Sequence, residues 1–110
     1  MKKVRVIIDR PIGYKDMFGN IYPVNYGYVE GVLAGDGEEQ DAYILGEDKP
    51  LDFFEGMLIA YVRRKDDVED KWIVSNSTYS VEEIRMQVAF MEQYFDSDIE
   101  LCESEGCLLE

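Results

Sequence analysis

At 110 residues, with 46% apolar and 13% aromatic residues, the chain has the length and composition of one folded domain with a single modest core. Its 24 acids against 11 bases give a formal net charge of −13, a field that repels a phosphate backbone and attracts divalent cations, so nucleic-acid binding is disfavoured. There is no histidine, which excludes Ser-His-Asp and Cys-His catalysis and imidazole metal sites, leaving carboxylates, Tyr, Lys, Arg and any metal they hold.

The N-terminal "KVRVIID" alternates and then turns apolar, which predicts a strand over Lys3–Asp9 with one buried face. Its apolar run is broken by Arg5 and Asp9, against a signal peptide, and no apolar stretch nears the roughly 20 residues that span a bilayer. Pro11 and Gly13 end the strand, and "GYKDMFGN" reads as a loop or hairpin connection. "IYPVNYGYVEGVLA" predicts a strand, a tight passage at Asn25-Tyr26-Gly27 and a second strand. "DAYILG" is a further short strand, and "EDKPLDFFEG" a connection, because Pro50 argues against a central strand. "MLIAYVRRK" (Met57–Lys65) and "DKWIVS" (Asp70–Ser75) follow as strands of a hairpin. The period then changes. Ser80-Val81-Glu82-Glu83 is a capping-box pattern, and Val81, Ile84, Val88, Met91 and Phe95 follow at helical spacing, predicting a helix of about 15 residues. The acidic tail is expected to hold a short strand at Ile99–Leu101. About five or six strands and one helix predict a mainly β domain: a small closed OB-like barrel with one C-terminal helix.

Two acidic segments lie between predicted strands. "DGEEQD" puts four carboxylates into six residues, and "KDDVED" forms the second cluster. Charged turns ordinarily face water. Yet Asp36 and Asp41 bracket the first turn, and hard oxygens brought to one side would suit Mg²⁺, with Mn²⁺ as an alternative. If both turns open at the same end of the barrel, their carboxylates could share a metal. Cys102 and Cys107 have no second pair to complete a zinc site and read as free thiols of a cytoplasmic protein.

"YPVNYGYVEGVLAGDGEEQDAYIL" resembles the core of the barrel-type soluble inorganic pyrophosphatases, whose pattern is Y-P-x-N-Y-G-[FY] followed by D-G-D-P-x-D-V. Tyr22, Pro23, Asn25, Tyr26, Gly27 and Tyr28 match the first motif; Asp36, Gly37 and Asp41 match the second, with Glu38 where the family has Asp. Weaker similarity runs from Val4 to about Phe95, so it implies one pyrophosphatase-like domain over residues 1–110. The resemblance implies Asp36 and Asp41 as metal ligands and Glu38 as the acid that activates the attacking water. A hairpin motif, D-E-x-x-x-D-x-K, adds Glu69 and Asp66, with Asp70 or Asp67 as substitutes, and makes Lys71 the phosphate-contacting lysine. Tyr26 and Tyr94 match the active-site tyrosines, and Asp9 falls where the family has a glutamate. The implied reaction is Mg²⁺-dependent hydrolysis of diphosphate to two phosphates. Alternatives are hydrolysis of another small phosphoanhydride, or metal binding without catalysis. Relatives of this type are often homo-oligomers, and neither nucleic acid nor membrane is an expected partner.

The departures fall on cations. A family lysine and arginine lie in a stretch largely deleted here, and the lysine after the helix tyrosine is replaced by Phe95. Each lost charge-assisted contact to phosphate costs about 1.5–3 kcal/mol of binding. Lys15 or Arg10 could stand in for one, and Arg63, Arg64, Lys65 or a neighbouring subunit could compensate further.

Overall fold

The computed structural model describes residues 2–35, 37–65 and 70–102. Six strands and one helix follow in order: β1 (Lys3–Arg10), β2 (Asn25–Leu33), β3 (Glu39–Ile44), β4 (Phe53–Arg64), β5 (Asp70–Ser75), α1 (Val81–Glu92) and β6 (Ser97–Leu101). The sheet runs β1-β2-β3-β5-β4-β6, and pairing of β1 with β4 closes the first five strands into a barrel, with β6 added on the outer edge of β4. The fold is thus mainly β with one C-terminal helix, as the sequence predicts.

Strand alternation sorts the side chains into two apolar layers. Val4, Val6, Ile8, Val29, Ala42, Ile44, Phe54 and Val74, drawn from all five barrel strands, fill the interior. Tyr43, Leu45, Val62 and Ile73 point the other way and pack beneath Ile84 and Val88 of α1. The helix therefore covers an outer face of the barrel. Its start follows the capping box: Ser80 Oγ accepts from the Glu83 amide, and Glu83 Oε1 accepts from the Ser80 amide.

Four boundaries differ from the sequence reading. Residues 21–24 form no strand, apart from an isolated bridge between Lys15 and Ile21. Asn25-Tyr26-Gly27 is the start of β2 rather than a tight passage. Asn25 is fully buried there, its Oδ1 accepting from the Ile12 and Leu51 amides and its Nδ2 donating to the Lys49 carbonyl, so it clamps two loops onto the strand. β4 begins at Phe53, inside the segment read as a connection, because Phe53–Met57 pairs with Lys3–Ile7 of β1 to close the barrel. The helix ends at Glu92; Tyr94 and Phe95 donate three residues back, to Met91 and Glu92, as a last tightened turn. Among the described residues no helix is long and apolar enough to cross a membrane.

Candidate active site

β3 and β5 are parallel neighbours, with Ala42 opposite Trp72 and Ile44 opposite Val74. Their starts, each preceded by an acidic segment, therefore lie side by side. Gln40, nearly buried, ties them together by donating to the Asp70 carbonyl at 2.7 Å and the Asp41 carbonyl at 3.0 Å. The same register puts Asp41 beside Lys71, on the face that α1 covers. Lys71 Nζ donates to Asp41 Oδ2 at 2.7 Å, with the lysine side chain 6% exposed and the aspartate 29%.

Tyr26 stands on the next strand, paired with Tyr43 of β3 and Arg10 of β1. Burial and the Asp41 carboxylate to which its hydroxyl donates raise its phenol far above the ordinary range, so it stays protonated. Arg10 follows a register shift at the end of β1, where the extra residue Asp9 turns the strand and directs the guanidinium inwards. It donates to the Tyr22 hydroxyl at 2.6 Å, and its guanidinium carbon lies 5.6, 5.7 and 5.6 Å from the rings of Tyr14, Tyr22 and Tyr26. Among the described residues, no carboxylate forms a salt bridge with Arg10.

Arg64 completes the cationic wall. It shares the α1-covered face of β4 with Val62 and is bound twice to Glu92 of α1, through Nη2 at 2.7 Å and Nε at 3.2 Å. Tyr43 donates to the same carboxylate at 2.6 Å, and Phe95 stacks 3.7 Å from the guanidinium carbon. Arg10, Tyr22, Tyr26, Asp41, Arg64, Lys71, Met91 and Phe95 together line a cavity of about 250 Å³. A compact anion is the ligand this chemistry suits: three cations line the cavity, Lys71 and Arg64 paired there with Asp41 and Glu92.

Of the residues expected to carry the chemistry, the fold brings Asp41, Lys71 and Tyr26 together. Asp9 sits at the β1 bulge; desolvation raises its carboxyl above the usual range, Arg10 opposes that shift, and the charge of Asp41 adds to it. Glu38 is exposed immediately before β3. Asp70 lies on the opposite face of β5 from Lys71, where its carboxylate is paired with Arg63, itself also bonded to Glu100. Tyr94 is 62% exposed and lines a neighbouring cavity, its hydroxyl 3.4 Å from Asn20 Oδ1. Asp36, Asp66, Asp67 and Glu69 lie outside the described residues, as does Cys107, while Cys102 is a free thiol. Arg10 and Arg64, among the substitutes named from sequence, do reach the cavity. Lys65 instead lies 3.5 Å from Asp98, and Lys15 is on a surface hairpin. Glu92 and Tyr43, the partners that aim Arg64, escaped the sequence reading; only the period linking Glu92 to the buried stripe of Ile84 and Val88 pointed inwards.

Among the described residues no group of three or more acids or thiols gathers at metal-binding spacing. What they offer is the pair Asp41 and Asp9, two hard oxygen donors whose charges repel each other. Of the two, Asp41 lines the cavity, an oxygen donor of the kind magnesium takes beside water and phosphate ligands.

No model of a known protein family matches the sequence, and neither does any curated protein sequence. The fold does match solved structures. Inorganic pyrophosphatase from Ehrlichia chaffeensis superimposes with a TM-score of 0.70 at 15% identity, covering 91% of this chain and 86% of that one. The Helicobacter pylori enzyme gives 0.60 at 16% identity, covering 92% and 82%. The Thermus thermophilus enzyme gives 0.59 at 16% identity, covering 92% and 80%. The chain has the inorganic-pyrophosphatase type of OB barrel, a likeness of fold at 15–16% sequence identity.

Proposed function

We propose that the chain hydrolyses inorganic diphosphate to two phosphates in the cytoplasm, in a reaction that depends on Mg²⁺ or Mn²⁺. The observation that carries this reading is the convergence of Arg10, Arg64 and Lys71 on one cavity beside Asp41, on a fold shared with diphosphate-hydrolysing proteins. Asp41 and Asp9 would hold the metal, and the sequence resemblance adds Asp36, Asp66 and Glu69, with Asp67 as the substitute within the second segment, since the Asp70 carboxylate is paired with Arg63 on the other face of β5. When bound, the metal supplies a water acidified towards neutrality and offsets charge on the phosphates.

The remaining work belongs to the side chains. Glu38, exposed at the start of β3, accepts the proton of the attacking water. Lys71 and Arg10 hold the phosphates as charge-assisted donors, and Arg64, fixed by Glu92 and Tyr43, supplies positive potential at the cavity floor. Tyr26 donates from a hydroxyl that burial keeps protonated, while Tyr94 closes the helix side.

Phosphate release from diphosphate tests the proposal. Release should appear with Mg²⁺ and Mn²⁺ and vanish in excess EDTA. If no metal supports release from diphosphate, the barrel is a non-catalytic relative or acts on a different anhydride.

A further inference from the structure

A second and larger cavity, of about 470 Å³, adjoins the cationic one and is lined by Arg10, Asp16, Phe18, Asn20, Met91, Tyr94 and Phe95. The two share Arg10, Met91 and Phe95. Its character differs from that of the cationic cavity: the walls are aromatic and thioether, and the rings are open to solvent, Phe18 being 83% and Tyr94 62% exposed. Large aromatics this exposed on the wall of a cleft mark a binding surface.

The wall carrying Phe18 is built in place. Asp16 accepts from the Phe18 and Asn20 amides at 2.9 Å and from Asn20 Nδ2 at 3.0 Å, while the Gly19 amide donates to the Asp16 carbonyl at 3.1 Å. These bonds close a small hairpin with Phe18 at its tip. The bonds from Asn20 and Phe18 lower the Asp16 carboxyl below its ordinary range, so it stays ionised on this wall. The segment is also the one shortened relative to the pyrophosphatase pattern, and Phe18 shares the lining of the cleft with Tyr94 and Phe95.

We propose that the substrate of this site is an organic phosphoanhydride bearing a planar aromatic group, of which a nucleoside diphosphate is the simplest case. Its phosphates lie against Arg10, Lys71 and Arg64, and its base lies between Phe18 and the Tyr94–Phe95 end of α1. This deepens the reading of the cationic cavity as a phosphoanhydride site and rests on it. Charge and shape both argue for such a bipartite ligand. Arg10 stands at the junction of the two cavities, the anion-binding groups are on one side of it, and a ring-sized apolar slot with Asn20 as a hydrogen-bonding group is on the other. In the reaction, water oxygen bonds to the terminal phosphorus and the bond from that phosphorus to the bridging oxygen breaks. The electron pair stays on the nucleoside monophosphate, and the water proton leaves through Glu38 to solvent.

The test compares ADP with inorganic diphosphate, both with Mg²⁺, for the wild-type chain and Phe18→Ala, by phosphate release and by calorimetric titration. Base–aromatic stacking predicts that Phe18→Ala lowers kcat/KM and affinity for ADP by about tenfold while diphosphate turnover is unchanged. Turnover of diphosphate with no binding of ADP, or an equal loss on both substrates, overturns the inference and leaves the diphosphate reading standing. ADP binding that needs Phe18, with neither compound hydrolysed, supports the site and removes the catalytic reading. Sedimentation supplies a further control: if Phe18→Ala dissociates a dimer and leaves ADP binding unaltered, the aromatic wall is a contact between copies and the inference fails.

Discussion

Asp41 is asked to do the most of any single residue. It accepts from Lys71 and from Tyr26 and is the described carboxylate best placed to meet a cation. Asp41→Asn keeps the shape and leaves Lys71 an oxygen to donate to, but removes a charge from beside a lysine side chain that is 6% exposed, so the chain should fold with a lowered thermal midpoint and lose metal-dependent phosphate release; full release by this variant would remove Asp41 from the mechanism. Asp9 makes a prediction of opposite sign. Desolvation raises its folded pKa above the unfolded value, with the charge of Asp41 adding to the shift, so the ionised form destabilises the metal-free fold. The folded chain then binds more protons than the unfolded one between the two pKa values, and stability falls as pH rises through that window. Asp9→Asn should therefore raise the urea midpoint of metal-free protein near neutrality, and the gain should disappear as pH falls below the ordinary aspartate value. A gain that is the same at all pH values would show that charge is not the cause. Residue identities at this level were legible where they sit in motifs, as with Tyr26, Asp41 and Lys71. Asn25 was read as part of a tight passage, yet its partners are loop amides far along the chain, which no local pattern reveals.

At the scale of elements, two contacts decide whether the wall of the cavity exists. Gly27 lets β2 approach β1 closely: a Cβ there would lie 1.8 Å from the Ile7 carbonyl oxygen. Gly27→Ala must push the strands apart and misplace Tyr26 next to it, with a loss of about 3 kcal/mol or failure to fold, read by urea denaturation. The second contact joins α1 to β4. The Arg64 and Glu92 side chains are 8% and 6% exposed, so removing the acid strands a buried guanidinium. Glu92→Ala should cost about 3–5 kcal/mol in the same measurement, and a change below about 1 kcal/mol would mean that Arg64 finds water when unpaired. The helix itself was legible because its cap and its apolar period agree. The start of β4 was not: Pro50 and the acidic residues of that segment look like a loop, and only pairing with β1, some fifty residues earlier, makes Phe53–Gly56 a strand.

For the whole molecule, the decisive feature is the parallel pairing of β3 with β5, which sets the starts of these two strands side by side. Each hairpin could be read locally, and the barrel class followed from their number. Which strands become neighbours could not be, because a thirty-residue separation leaves no periodic trace. The cationic wall shows the same division. Arg10 and Arg64, which sequence could nominate only among several candidates, line the cavity beside Lys71. The central claim is that this arrangement gathers metal and phosphate at one place. Crystals soaked with Mn²⁺ and diphosphate test it most directly: anomalous density should lie on the Asp41 carboxylate, with phosphate in reach of Arg10 and Lys71. Manganese bound only elsewhere on the acidic surface, with Asp41 still held by Lys71 alone, would contradict it.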